Sequence, residues 1–473
     1  MVNSFDIFDT LIARECKNPK DIFFIMENIL NLKNFANNRV KSEEISHNIY
    51  KINNNLDNIY SELQKILKVD DNEIEKIKLL ELDIEYKNSI PIISNINKIK
   101  DGDIYLSDMY LTSDQIINLL KKHNINVNNK LYVTSGGKAD GSIYKYIINN
   151  YKLDLHTGDN YVSDIINAEK FNIKTKYTTI SKFTDVENFL YDNKYYVFQK
   201  LIRKYRLQNP YDENTKEFTL YNQQITYNIP ILIIFSQQIY NIITSENLDK
   251  VLFLSRDCCL LIKIFKKLYP NINCMYFYSS RIINIIGGSD YQKYIKENIN
   301  NKSLIIDLNG SFNSGRELYK KCLGYYPRCH LLQYDMFKEP FNNLSYLIKN
   351  RDLDIFLRSN YSNIYNKIKN YYYSHYIEVL NYDLDGTLLF YVENINLNYY
   401  NENNEKYVNI SHNLVENFIQ DLEIKKIEKI DDYKNLFLNI YALLFVNSNE
   451  KDFAIFNRPH LINCEINKKI YNN

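Results

Sequence analysis

The chain has no tryptophan, and glycine (11), proline (8) and cysteine (7) are all sparse in its 473 residues. No Pro/Gly/Ser-rich stretch therefore marks a domain boundary. The cysteines, at 16, 258, 259, 274, 322, 329 and 464, are odd in number. They form no C-x-x-C pair and no Cys/His cluster at zinc spacing, which excludes a structural zinc site and points to a reducing compartment. Charge of neither sign is in excess, with 58 Lys plus Arg against 57 Asp plus Glu. No net field then draws in nucleic acid or an anionic membrane. The most apolar run, residues 229–235, falls far short of the ~20 residues that a spanning helix needs. Val2-Asn3-Ser4-Phe5-Asp6 opens the chain without the basic and apolar regions of a signal peptide. The expectation is a cytoplasmic protein with no nucleic-acid and no membrane partner, its oligomeric state left open.

What is abundant is Asn, Ile, Lys and Tyr, the last numbering 43. An AT-rich coding sequence accounts for that skew better than any role for tyrosine in base stacking. The length is too great for one core and suggests two to four domains. Residues 1–185 alternate short apolar runs with helical-period stretches, the pattern of a parallel sheet covered by helices. Strands are expected at 2–8, 103–106, 130–133, 155–158 and 175–179. Between the first two, residues 16–100 read as a helical cap inserted after the first strand. Ile74, Ile77, Leu80 and Ile84, for example, repeat along one helix face. A helical connector follows at 186–245, with a core helix opened by Pro230. A second α/β domain spans 246–395, with strands at 251–254, 275–278, 303–307 and 330–334. A mostly helical tail ends the chain at 396–473.

Four short motifs stand in order in the first 165 residues, each at a strand end. They are Asp6-Ile7-Phe8-Asp9-Thr10; Ser107 in Leu106-Ser107-Asp108; Lys138 in Gly136-Gly137-Lys138; and Gly158-Asp159-Asn160-Tyr161-Val162-Ser163-Asp164. Open α/β sheets bind ligands outside the carboxyl ends of their strands, where all four would meet. Mg²⁺ takes a few converging carboxylates and keeps several waters, and Asp6, Asp159 and Asp164 are the candidates. Charge on a transferring phosphoryl group calls for a cation and donors, which Lys138, Ser107 and loop N–H groups offer.

This set resembles the haloacid dehalogenase (HAD) superfamily over about 180 residues. Ser4-Phe5-Asp6-Ile7-Phe8-Asp9-Thr10-Leu11-Ile12-Ala13-Arg14 and Leu106-Ser107-Asp108-Met109-Tyr110-Leu111 look like a branch often fused to polysaccharide-biosynthesis proteins. The resemblance implies a Rossmann-like sheet and an Mg²⁺-dependent hydrolase acting on a small phosphorylated substrate, such as a sugar phosphate or nucleotide. It implies Asp6 as a nucleophile that forms an aspartyl-phosphate, and Ser107 and Lys138 on the phosphoryl group. The metal would take Asp6, Asp159, Asp164 and the Phe8 backbone carbonyl. Phosphatases of the superfamily carry an acid/base Asp two positions after the nucleophile. Here that position is Phe8, and Asp9 is either a displaced acid/base or a turn residue. Loss of a positioned acid/base removes about 10²–10⁴-fold in rate.

Asp383-Leu384-Asp385-Gly386-Thr387 fits the first HAD motif better than the N-terminal copy, but no companion motifs follow it. A hairpin turning at Asp385-Gly386 is the expectation there. In the second α/β domain, Ser255, Arg256 and Asp257, then Arg281, then Asp307 and the loop from Gly310 each follow a strand and could converge on an anion. Residues 310–315 show G-x-x-x-x-G but continue Arg316-Glu317, which rejects a Walker loop. Asp307 with its small-residue loop is loosely similar to phosphoribosyltransferases. Two alternatives to the phosphatase thus stand: glycosyl or phosphoribosyl transfer in the C-terminal half, and a phosphate-binding scaffold slowed by Phe8.

Overall fold

The computed structural model describes residues 2–51, 54–255, 258–279, 284, 287–334, 340, 343–349, 377–382, 388–392, 402–422 and 427–447. The chain is α/β, with two five-stranded parallel sheets in two compact units. Residues 1–188 and 199–213 form one unit, and residues 189–198 and 214–473 form the other. No helix among the described residues is long and apolar enough to cross a membrane.

In the first unit the parallel strands are β1 (Val2–Asp6), β4 (Ile104–Asp108), β5 (Lys130–Thr134), β6 (Leu153–Gly158) and β7 (Lys174–Tyr177). They lie in the order β5-β4-β1-β6-β7, so the strand that comes first in the sequence is central. Ile104, Tyr105 and Leu106 of β4 are all buried, as expected of a strand covered on both faces. Counted within the sheet the order is 3-2-1-4-5, that of doubly wound folds, and the connections diverge between β1 and β6. A crevice opens at that switch point, at the ends of the two strands that carry Asp6 and Gly158.

Four long helices lie between β1 and β4: α1 (Asp21–Leu30), α2 (Phe35–Tyr50), α3 (Leu56–Leu67) and α4 (Asp71–Asn88). Asn55 and Asp70 cap α3 and α4 by accepting from the N–H groups of Asn58 and Glu73, which satisfies donors that no helical carbonyl can reach. One buried ion pair joins all four helices. Arg39 of α2 donates to both oxygens of Glu81 of α4, at 2.7 and 2.8 Å. Tyr60 of α3 donates to the same carboxylate at 2.7 Å, and the guanidinium lies 4.5 Å from the ring of Phe23 of α1. A two-stranded antiparallel ribbon, β2 (Ile12–Arg14) with β3 (Ser89–Pro91), returns the chain from the cap to the loop after β1. Sequence periodicity does not show this ribbon, because its three-residue strands lie on either side of the whole cap.

In the second unit the strands are β8 (Lys250–Leu254), β9 (Cys274–Phe277), β10 (Ser303–Gly310), β11 (Arg328–Tyr334) and β12 (Leu344–Lys349), in the order β12-β11-β10-β8-β9. This is 2-1-3-4-5, the other common doubly wound order, with its switch point between β8 and β10. Pro230 stands in the first turn of a buried helix, as expected. The helix Ile229–Ser245 continues from a π-helical stretch, Gln224–Asn228. A proline inside a helix lacks an N–H and crowds the carbonyl four residues back, and a widened π turn accommodates both. The helices Glu402–Asp421 and Tyr433–Asn447 belong to the second unit, where they bury Leu414, Val415, Phe418, Phe437 and Ile440. Strands Ile377–Tyr382 and Leu388–Val392 pair antiparallel, while Asp383, Asp385 and Gly386 lie outside the described residues.

Candidate functional site

The first unit brings Asp6, Phe8, Asp9, Ser107, Lys138, Asp159 and Asp164 to the wall of one cavity of about 690 Å³. That size suits a small-molecule site. The cap supplies Lys20, Phe23, Glu43, His47 and Glu85 to the same wall.

Asp6 ends β1 and is 5 % exposed. Its Oδ1 accepts from Lys138 Nζ at 2.5 Å, and its Oδ2 is buried with no hydrogen-bond partner. Lys138 also donates to Asp164 Oδ1 at 2.7 Å, so one ammonium bridges the two carboxylates. Asp164 lies in the π-helical turn Tyr161–Ile166. Its Oδ2 accepts from the Asn160 N–H at 3.0 Å. Behind it stands a buried chain that sequence reading missed: Tyr144 and Ser4 flank His156, at 3.1 and 2.8 Å, and His156 Nε2 lies 3.3 Å from Asp164 Oδ1. The only sequence signal for His156 was its place on the strand that ends at Gly158.

Carboxylate oxygens of Asp6, Asp159 and Asp164 lie within 4.8 Å of one another, and the three residues could hold a metal ion. The electrostatics show what such crowding costs. Burial pushes Asp159 up to about 8, reinforced by the charges of Asp6, Asp9 and Asp164. Burial also raises Asp6, to about 6, against the pull of Lys138. For Asp164 the upward push of burial is overcome by His156 and Lys138, which hold it well below the usual carboxylate range. Burial would lower Lys138, but Asp6 and Asp164 keep it well above its ordinary value. Lys138 thus offsets two of the three acids, and among the described residues no cation contacts Asp159.

Asp108, also missed as a functional residue, fixes the loop that carries Lys138. Its Oδ1 accepts from Thr134 Oγ1 and the Gly136 N–H, both at 2.7 Å, and its Oδ2 from the N–H groups of Lys138 and Ala139 at 3.3 Å. Ser107, one residue earlier on the same strand, is 2 % exposed at the cavity wall. Asp9 has a φ of +59° and donates its N–H to Ile12 O at 2.7 Å. That is the left-handed turn conformation Asp tolerates better than most residues.

Of the second-site candidates, Ser255, Asp307 and Gly310 are among the described residues. Ser255 Oγ donates to Ser279 O at 2.8 Å and accepts from the Ser279 N–H at 2.9 Å. Its hydroxyl therefore stitches the ends of β8 and β9. Asp307 Oδ1 accepts from the Leu308 N–H at 2.8 Å, and Gly310 has a φ of +134°, which requires glycine. Arg256, Asp257 and Arg281 lie outside the described residues. No family model matches the chain, and no curated protein matches it.

Proposed function

We propose that the first unit is an Mg²⁺-dependent phosphoryl-transfer enzyme of the haloacid dehalogenase type, acting on a small phosphorylated metabolite with Asp6 as nucleophile. One observation carries this: Asp6, with an unpartnered buried oxygen, shares a cavity with Asp159 and Asp164 at the switch point of a doubly wound sheet. Three hard-oxygen donors this close, one of them without a contacting cation among the described residues, fit Mg²⁺. The ion would be held by Asp6, Asp159, Asp164 and the Phe8 carbonyl, and when bound it supplies charge that offsets the phosphate oxygens.

The chain's own residues supply the rest. Asp6, an anion at neutral pH given its value of about 6, attacks phosphorus and splits hydrolysis into two displacements. Lys138 stays protonated and faces the phosphoryl oxygens, with Ser107 as a further donor. Asp164, charged and pinned by His156 and the Asn160 N–H, keeps Lys138 from swinging onto Asp6 alone. Such preorganised charge is usually the largest contribution to catalysis.

The test is phosphate release from a panel of phosphorylated metabolites and 4-nitrophenyl phosphate, with Mg²⁺ and with EDTA. Turnover that EDTA abolishes is expected. No release from any compound would favour the second reading, a phosphate-binding protein slowed by Phe8, which stands where an acid/base would.

A further inference from the structure

Phe8 has no proton to give a leaving group. Beside its ring, however, lies a fixed cation: the Cζ of Arg14 is 5.1 Å from the ring centroid. Arg14 belongs to β2, and its side chain is 9 % exposed. Glu85, in the last turn of α4, holds it from one side. Nε donates to Oε2 at 2.8 Å and to Oε1 at 3.2 Å, and Nη2 donates to Oε1 at 2.9 Å. This pairing uses Nε and Nη2 only. Among the described residues, Nη1 has no hydrogen-bond partner. Arg14 and Phe8 wall the same cavity as Asp6 and Asp159.

A guanidinium does not act as a general acid, since it keeps its proton at any working pH. It does stabilise an anion, most of all in a buried site where its geometry is already fixed. Position 8 therefore offers no proton donor to a departing oxygen, and a rigid charge stands beside it instead. Leaving groups differ sharply in what they need. A departing alkoxide resembles hydroxide, whose conjugate acid has a pKa of about 15.7, and it leaves poorly without a proton. A departing phosphomonoester has a conjugate acid with a pKa of about 6 and leaves as an anion at neutral pH.

We propose that the site is built for phosphoric anhydrides, compounds with a terminal phosphate on a diphosphate, and that Arg14 Nη1 receives the departing phosphomonoester. The inference rests on the phosphoryl-transfer reading above. In the first step a carboxylate oxygen of Asp6 bonds to the terminal phosphorus. The bond from that phosphorus to the bridging oxygen breaks, and its electron pair stays on the bridging oxygen. No proton is transferred, and the new charge lies against Arg14. In the second step water bonds to phosphorus and the bond to Asp6 breaks, which restores the carboxylate. The proton that water gives up passes to the released orthophosphate or to solvent. Hydrolysis of the diphosphate to a monophosphate and orthophosphate is then balanced.

The experiment compares small probes that any cap would admit. Phosphate release from methyl diphosphate, methyl phosphate and 4-nitrophenyl phosphate is measured with Mg²⁺ near pH 7. The expected kcat/KM for methyl diphosphate exceeds that for methyl phosphate by about 10²-fold or more, the size of a general-acid contribution that one substrate needs and the other does not. Arg14→Gln should cut kcat on methyl diphosphate by about 10²–10³-fold, the loss typical of one oxyanion donor. It should cost less on 4-nitrophenyl phosphate, whose leaving charge spreads to the far nitro group. Because Arg14→Gln leaves Glu85 buried and unpaired, Arg14→Gln/Glu85→Gln serves as the folded control. Equal kcat/KM for the two methyl compounds, with Mg²⁺-dependent turnover of 4-nitrophenyl phosphate, overturns this inference alone. An unchanged preference in the double variant overturns the role of Arg14. Turnover of none of the three probes overturns the phosphoryl-transfer reading and this inference with it.

Discussion

Gly158 and Asp164 are in such close contact that a β-carbon on Gly158 would lie 2.3 Å from Asp164 Cγ and 2.5 Å from its Oδ2. The glycine is therefore required by the neighbouring carboxylate, whatever its own backbone angles. Gly158→Ala must displace Asp164 from Lys138, His156 and the Asn160 N–H. The expected cost is about 1–3 kcal/mol of stability, as for overpacking in general, together with loss of most Mg²⁺-dependent turnover. Denaturant unfolding and a phosphatase assay read both. A variant as stable and active as the wild type would mean that Asp164 has another acceptable position.

Asp159 links metal binding to pH. Its folded-state value of about 8 lies above the ordinary 3.8, so between those values the folded chain binds a proton that the unfolded chain has released. Stability without metal should then fall as pH rises from about 4 to about 8. Asp159→Asn should flatten that slope. In the wild type near pH 7, Mg²⁺ binding should expel a proton, visible by calorimetry in buffers of different ionisation enthalpy, and Asp159→Asn should release less. A pH-independent melting temperature without metal would contradict the placement of Asp159.

Asp6→Asn should lower Mg²⁺-dependent phosphate release by about 10⁴-fold or more, the scale seen when a nucleophile is removed. The fold should persist, because Lys138 keeps its bond to Asp164 and the new amide lies within 4.8 Å of the carboxylates of Asp159 and Asp164. Retained turnover with an unchanged circular dichroism spectrum would remove Asp6 from the role of nucleophile.

Asp9 has a turn conformation, so Asp9→Asn should keep turnover within about threefold. Asp9→Ala should cost roughly 1–2 kcal/mol of stability, since a φ of +59° disfavours a residue whose side chain cannot bond locally. A loss of 10² or more in kcat for Asp9→Asn would instead identify a general acid.

Nine of the ten parallel strands were legible in the sequence, the central ones because a strand buried on both faces must be a continuous apolar run. Ile104, Tyr105 and Leu106, and likewise Val251, Leu252 and Phe253, need no partner to be recognised. The edge strand Leu344–Lys349 was not anticipated, its apolar run being broken at Ser345. The motif residues Asp6, Ser107, Lys138, Asp159 and Asp164 were legible because chemistry restricts their types and the strand ends restrict their places. Asp108, Arg14 and His156 were not, since a single acid, arginine or histidine inside a fold has no period of its own.

The sequence by itself determined the residue types that could hold a phosphate and a metal, their order along the chain, and the absence of an acid at position 8. Only the tertiary structure decided the pairings. Lys138 bridges Asp6, 132 residues away, and Asp164, 26 residues away, and Arg14 meets Glu85 across the cap, 71 residues apart. The physical reason is that a local pattern records burial and turn chemistry. The charge that a buried carboxylate feels depends instead on groups that only the closed fold brings within a few ångströms.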